Sequence, residues 1–196
     1  HINCKIGQYS FTSKKNTLAT IYIIRDPRNL VNSISNHFSK SVEDSKNFLF
    51  APKIITKFEK EDDLENKSLI TLLGTWNEHY NFWKNNNENF LLIKYEDLIN
   101  NTNSELDKII AFIKRFTPIQ TDEIKNKNII KTTSFNYLQN LEEKGGFDEN
   151  AYDTNDTKKK FFNLGPKNNW ENNLNKKIKD EIELKFYVEM KELGYL

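Results

Sequence analysis

The run Ala19-Thr-Ile-Tyr-Ile-Ile24, followed at once by Arg25-Asp-Pro-Arg28, constrains the fold of this chain more than any other segment. An apolar stretch of that length reads as a strand buried on both faces, the kind a parallel sheet contains. Asp26 before Pro27 marks a helix start: the carboxylate caps free amides, and proline at the first helical position forfeits no needed donor. Leu30, Ile34 and Phe38 then recur at four-residue spacing, which predicts one buried stripe on the new helix. The guanidinium of Arg25 therefore stands at a sharp turn, and the hydroxyl of Ser33 lies roughly two turns into the helix. Helix N-termini favour anions and a planar guanidinium grips phosphate oxygens in pairs, so the segment reads as an anion pocket. The simpler alternative is an Arg25–Asp26 ion pair trimming a surface turn, with Ser33 solvated.

The other periodicities extend an alternation of strands and helices. Residues 5–17 read as a polar hairpin or loop around Gly7, and 39–66 show no defined element. Leu69, Leu72, Leu73, Trp76, Tyr80 and Trp83 share one face of a helix expected over Ser68–Asn85. His79, between Trp76 and Trp83, reads as a packed side chain. Phe90–Tyr95 is a second buried strand, and Thr102-Asn-Ser-Glu105 is a capping box opening a helix with Leu106, Ile109, Ile110 and Ile113 inward. Two helical pieces are expected from Thr121 to about Lys131 and from Ser134 to Lys144, the second stopped by Gly145-Gly146. The polar stretch 147–160 reads as a mobile loop. A last helix spans about Asn175–Glu192, with Ile178, Ile182, Phe186 and Leu193 inward and Gly194 as its stop. This pattern indicates an α/β fold with a parallel sheet, whose ligands sit beyond the C-terminal ends of strands. Arg25 and Tyr95 both occupy that position.

Composition excludes several functions. At 196 residues the chain has the size of one domain, and a formal net charge of +1 provides no field that would drive binding to nucleic acid or anionic lipid. No apolar run approaches the roughly 20 residues of a membrane span. The single cysteine, Cys4, forms no internal disulfide and no zinc cluster, and no metal is expected. With 29% charged residues, the chain reads as soluble, and it is expected to be cytoplasmic. It opens at His1 without an initiator methionine, so upstream sequence is expected.

Strand-R-D-P-R-x-x-x-x-S resembles the 3′-phosphate-binding segment of the sulfotransferases that use 3′-phosphoadenosine 5′-phosphosulfate (PAPS). The resemblance implies a three-layer, P-loop-NTPase-like α/β fold with a central parallel sheet flanked by helices. It also implies that Arg25 and Ser33 hold the 3′-phosphate of the donor. Leu91-Leu-Ile-Lys-Tyr-Glu-Asp-Leu98 is similar to the family's L-x-x-x-Y-E-D-L strand end, which puts Tyr95 at the adenine region. Thr133-Ser134-Phe135 matches a T-S-F step that holds the adenine, and an aromatic face with flanking hydroxyls suits a purine. Read alone, Ser134 is a helix cap and Phe135 a core residue. Phe161-Phe-Asn-Leu-Gly-Pro-Lys-Asn-Asn-Trp170 resembles the R-K-G-x-x-G-D-W loop that closes over the 3′-phosphate, with Gly165 and Trp170 in register. Asn163 and Leu164 stand where its Arg and Lys are expected; Lys167, or the run Lys158–Lys160, is the candidate replacement for the lost charge. His1 falls where a K-T-H step places the general base that takes the proton of the acceptor hydroxyl, a task suited to imidazole.

The resemblance runs through the whole chain but lacks the family's first strand and its T-Y-P-K-S-G-T-T loop, which cradles the 5′-phosphosulfate. Residues 1–196 are therefore expected to form the C-terminal portion of a single sulfotransferase domain, inactive alone. The implied activity is sulfuryl transfer from PAPS to a hydroxyl or amine of a small-molecule or saccharide acceptor, leaving adenosine 3′,5′-bisphosphate (PAP). Two rivals are another P-loop-type kinase and a non-catalytic nucleotide-binding relative. Neither a particular acceptor nor an oligomeric state follows from the residues.

Overall fold

The computed structural model describes residues 5–6, 9–10, 14–56, 70–147, 151–152 and 157–196. It opens with the antiparallel pair β1 (Lys5–Ile6) and β2 (Tyr9–Ser10), as the hairpin reading expects, although Gly7 itself lies outside the described residues. Next come β3 (Thr20–Ile24), α1 (Pro27–Phe38), α2 (Val42–Phe50), β4 (Lys53–Thr56), β5 (Ile70–Leu73), α3 (Trp76–Asn86) and β6 (Phe90–Lys94). Four helices follow: α4 (Tyr95–Asn100), α5 (Thr102–Lys114), α6 (Glu123–Thr132) and α7 (Phe135–Glu143). The chain ends with β7 (Ala151–Tyr152), β8 (Lys158–Lys159), a 3-10 turn at Gly165–Lys167, α8 (Trp170–Asn173), α9 (Lys176–Lys185) and α10 (Tyr187–Glu192).

The centre is the parallel pairing of β3 with β6, in register from Thr20 opposite Phe90 to Ile24 opposite Lys94. Parallel neighbours need a long crossover, supplied here by everything from α1 to α3. Tyr22, Ile24, Phe90 and Leu92 face the main core, built from Val31, Leu49, Trp76, Tyr80, Ile178, Ile182, Phe186 and Met190. The expected burial on both faces of β3 does not occur: Ile21 and Ile23 are 39% and 55% exposed, so the strand alternates. On β6 the corresponding Ile93 is buried, where α5 packs against that strand.

Asp26 caps α1 as read, its carboxylate accepting from the Arg28 amide at 2.9 Å, with Pro27 in the first turn. Ser134 and Asn175 cap α7 and α9 in the same way.

Other expectations need correction. The helix placed over Ser68–Asn85 starts only at Trp76, where Thr75 and Glu78 form a reciprocal capping box. The preceding Ile70–Leu73 is a strand paired antiparallel with Lys53–Thr56, so Leu72 and Leu73 leave the helical face assigned to them. Inside the stretch read as undefined, Ser41 caps α2 by accepting from the Asp44 amide at 3.0 Å. The Thr102–Glu105 capping box is absent: α5 begins at Thr102 itself, whose hydroxyl donates back to the Leu98 carbonyl at 2.8 Å. Within the stretch read as a loop, β7 and β8 pair antiparallel. The final helix breaks at Phe186 (φ −113°, ψ 21°) into α9 and α10.

Candidate functional site

Because Ile24 and Lys94 are opposite each other in the ladder, the next residues, Arg25 and Tyr95, leave the sheet side by side at its carboxyl edge. The Arg25 guanidinium lies over the Tyr95 ring, 4.3 Å from its centroid. That contact holds the cation flat and limits its rotamers. One terminal nitrogen of Arg25 donates to the Ser33 hydroxyl at 3.4 Å, the other to the Gly165 carbonyl at 3.1 Å. Its Nε is buried and has no hydrogen-bond partner among the described residues. None of the ion pairs among the described residues includes Arg25.

The carboxylate that could have neutralised it is committed elsewhere. Buried Asp26 takes three bonds from the Arg28 guanidinium, at 3.0, 3.2 and 2.6 Å. Arg28 also donates to Glu183 at 2.5 Å and to the Tyr195 carbonyl at 2.9 Å, and lies over the Trp170 ring at 4.1 Å. The second arginine of the segment is thus neutralised by two carboxylates, and the first pairs with none among the described residues. Glu96 likewise has local work, accepting from the Asp26 amide at 3.3 Å and the Tyr195 hydroxyl at 3.1 Å.

Arg25 and Ser33 open onto a cavity of about 640 Å³. Its walls include Tyr95, Thr133, Ser134, Phe135 and Gly165, so seven of the nine site residues named from the sequence line one space. Gly165 has φ +50°, and a Cβ there would come within 2.2 Å of the Phe135 ring. Glycine is what allows the turn to close against that aromatic face. The Thr133 hydroxyl donates to the Ile129 carbonyl at 2.7 Å, and the Ser134 hydroxyl to the Lys131 carbonyl at 2.8 Å.

Of the remaining two, Lys167 is not brought there. His1 lies outside the described residues. Lys167 is exposed at the end of the 3-10 turn and is not among the residues lining the cavity. Nor does any lysine of the run 158–160 line the cavity: the Lys159 ammonium donates to the Ser39 hydroxyl at 3.1 Å, and Lys160 pairs with Glu143 at 2.6 Å. Among the described residues that line the cavity, the basic side chains are Arg25 and His37.

Asparagines do what the sequence reading did not assign. Asn163 donates to Asn36 at 3.1 Å, and buried Asn168 donates to the Ser33 hydroxyl at 3.2 Å. Buried Glu142 accepts from the amides of Phe161 and Phe162 at 2.6 and 3.0 Å, fixing the loop from behind. The available signal was the recurrence of Asn29, Asn32 and Asn36 along one face of α1. A second cavity, about 360 Å³, shares Arg25 and Tyr95 with the first and is walled by Tyr22, Phe48, Trp76 and His79.

The orphaned Nε, the carboxylate-free guanidinium and the hydroxyl beside it fit a phosphate, and the Phe135 face fits a purine. Among the described residues no group of three or more His, Cys, Asp or Glu side chains could hold a metal, and no helix is long and apolar enough to cross a membrane.

Comparison with known proteins gives concordant matches. The chain is 30% identical over 145 residues to the 3-alpha-hydroxysteroid sulfotransferase of Cavia porcellus, covering 72% of this chain and 45% of that protein. It is 27% identical over 176 residues to cytosolic sulfotransferase 12 of Arabidopsis thaliana, covering 87% and 49%. The crystal structure of mouse sulfotransferase SULT7A1 complexed with PAP superimposes with a TM-score of 0.60 at 19% identity, over 90% of this chain and 59% of that one, a likeness of fold. The chain thus spans about half the length of the curated relatives it matches. A sulfotransferase domain profile matches residues 1–194, nearly the whole chain, and the protein belongs to that family.

Proposed function

We propose that this chain binds the nucleoside and 3′-phosphate end of PAPS, and that the whole protein transfers the sulfuryl group to an acceptor hydroxyl or amine. The observation that carries the reading is Arg25: a guanidinium at the strand end, free of any carboxylate among the described residues, bonded to Ser33 and facing a cavity with an aromatic wall. When bound, PAPS supplies an activated sulfuryl group whose transfer leaves PAP.

The residues divide the work of holding it. Arg25 and Ser33 take the 3′-phosphate, which lies away from the reacting sulfur and so fixes position. Thr133 and Ser134 have already given their hydroxyl protons to backbone carbonyls, so toward a ligand each oxygen can act only as an acceptor, that of Ser134 with one lone pair already taken by the Tyr137 amide at 3.4 Å. Acceptors in that place suit the amino group of adenine, and the Phe135 face suits its ring. By resemblance, His1 takes the acceptor's proton. The Cavia relatives are named as hydroxysteroid sulfotransferases, which supports a small hydroxylated acceptor.

Calorimetric titration with PAP tests the donor half. Arg25→Ala and Ser33→Ala are each expected to weaken binding roughly 10- to 100-fold, as loss of a hydrogen bond to a charged group does. Binding left unchanged by both substitutions removes the reading. A second reading, a relative that binds the nucleotide without transferring from it, is favoured by Asn163 and Leu164 in the closing loop. It is recognised by PAP binding without sulfation of any acceptor when the whole protein is assayed.

A further inference from the structure

The geometry points to Asn168 as a positioning residue of this site, one that commits the Ser33 hydroxyl to donate its proton to a bound phosphate. The inference rests on the donor-binding reading above and adds a residue to it.

A serine inside a helix has an easy alternative to ligand binding: its hydroxyl donates to the carbonyl four residues earlier. For Ser33 that carbonyl belongs to Asn29. It already receives the Nδ2–H of Asn168 at 2.8 Å, in addition to the helical amide bond, so both of its lone pairs are used. The same Nδ2 donates to the Ser33 oxygen at 3.2 Å, and Arg25 donates to that oxygen at 3.4 Å. Neither an amide NH₂ nor a guanidinium can accept, so these two contacts occupy the oxygen's lone pairs. The hydroxyl proton is left for a third partner on the cavity side, where an anion would lie.

The side-chain amide of Asn168 cannot be turned round. The Asn29 carbonyl is an acceptor only, so the group facing it must be the NH₂, while Oδ1 accepts from Asn32 at 3.1 Å. Asn168 is 5% exposed, and its backbone amide donates to the Gly165 carbonyl that also receives Arg25. One buried side chain therefore ties α1, the closing turn and the anion pocket together. With Asn163 and Leu164 in the loop and only Arg25 and His37 basic among the described lining residues, neutral donors such as Ser33 carry more of the phosphate recognition.

The test is a thermodynamic cycle read with two ligands: PAP, and adenosine 5′-monophosphate, which lacks the 3′-phosphate. Affinities are measured for the unsubstituted chain, Asn168→Ala, Ser33→Ala and the double variant. Asn168→Ala is expected to weaken PAP roughly tenfold, the size of one lost hydrogen-bond contribution, and to leave the monophosphate unchanged. In the Ser33→Ala background it is expected to change neither. Equal loss for both ligands, or a loss for PAP that persists without the Ser33 hydroxyl, overturns the assignment. Asn168→Asp keeps the size of the side chain and guards against failure of the alanine variant to fold. Its carboxylate draws the hydroxyl proton to itself, so its effect on PAP should shrink when Ser33 is absent; an undiminished effect is plain charge repulsion and also overturns it. If the unsubstituted chain fails to prefer PAP over the monophosphate, the donor-binding reading itself is what falls.

Discussion

At Gly165 three requirements meet in one residue. The backbone stands at φ +50°, its carbonyl accepts from Arg25, and the Phe135 ring lies where a Cβ would be. A left-handed conformation costs an L-residue about 1–2 kcal/mol. An aromatic carbon 2.2 Å from the added methyl leaves no relief except displacement of the ring or the turn. Gly165→Ala is therefore expected to lower the melting temperature and, on the proposed function, to weaken PAP binding together, because either displacement disturbs the Arg25 contact or the Phe135 ring. Thermal melts and calorimetry on the same preparation check this; a variant with unaltered PAP affinity would show that the Phe135–Gly165 contact is not part of the site. The two arginines of Arg25-Asp-Pro-Arg28 make the complementary point. They are three residues apart in sequence, yet one is consumed by Asp26, Glu183 and Trp170 while the other bonds only a hydroxyl and a carbonyl and meets no carboxylate among the described residues.

Among the elements, α3 carries a titration that bears on stability. The Tyr22 hydroxyl donates to the Nδ1 of its His79 at 2.7 Å, and the His79 ring meets Trp83 edge-on. Burial holds the imidazole below its ordinary value of 6.5, and burial with Tyr80 nearby pushes the Tyr22 phenol up. The folded protein therefore resists protonation that the unfolded chain accepts. Where the unfolded state binds more protons, stability rises with pH, so the contribution is present above 6.5 and lost as pH falls below it. Denaturant unfolding at mildly alkaline and mildly acidic pH should show the protein losing stability on acidification, and His79→Gln losing less. Equal acid sensitivity of the two would place the titration elsewhere.

This helix also shows how far sequence pattern reaches. Leu69, Leu72 and Leu73 continue the stripe of Trp76, Tyr80 and Trp83 at helical spacing, so periodicity alone extends the helix backward. Pairing of Ile70–Leu73 with Lys53–Thr56 breaks that continuity, and the capping box at Thr75 marks the true start. The rule that long-range pairing overrides local preference explains the miss.

At the scale of the molecule the core hinges on Phe186. It is fully buried at the joint of α9 and α10, and packs edge-on against Phe50 and at a tilt against Trp76. It thus joins the C-terminal helices to α2 and α3, and through them to β3. Phe186→Ala is expected to cost about 3–5 kcal/mol, the usual range for removing a buried phenylalanine. Equilibrium unfolding measures it. A loss under about 1 kcal/mol would mean that the surrounding side chains collapse into the space.

What the residues determined unaided is local: a strand ended by Arg25, a helix capped by Asp26, and Ser33 two turns along it all follow from neighbours in the chain. Tyr95, Thr133, Ser134, Phe135 and Gly165, which line one cavity with Arg25, were singled out by short motifs in a fixed order. Asn168 was not, because its meaning lies in a hydroxyl and a carbonyl 135 and 139 residues away. Lys167 shows the converse, since a cation two positions from Gly165 remains at the surface when the turn closes. Short-range sterics and capping act between neighbours and can be read from a string. Which donors share an acceptor is decided only when distant segments are packed, because a hydrogen bond is settled within a few tenths of an ångström.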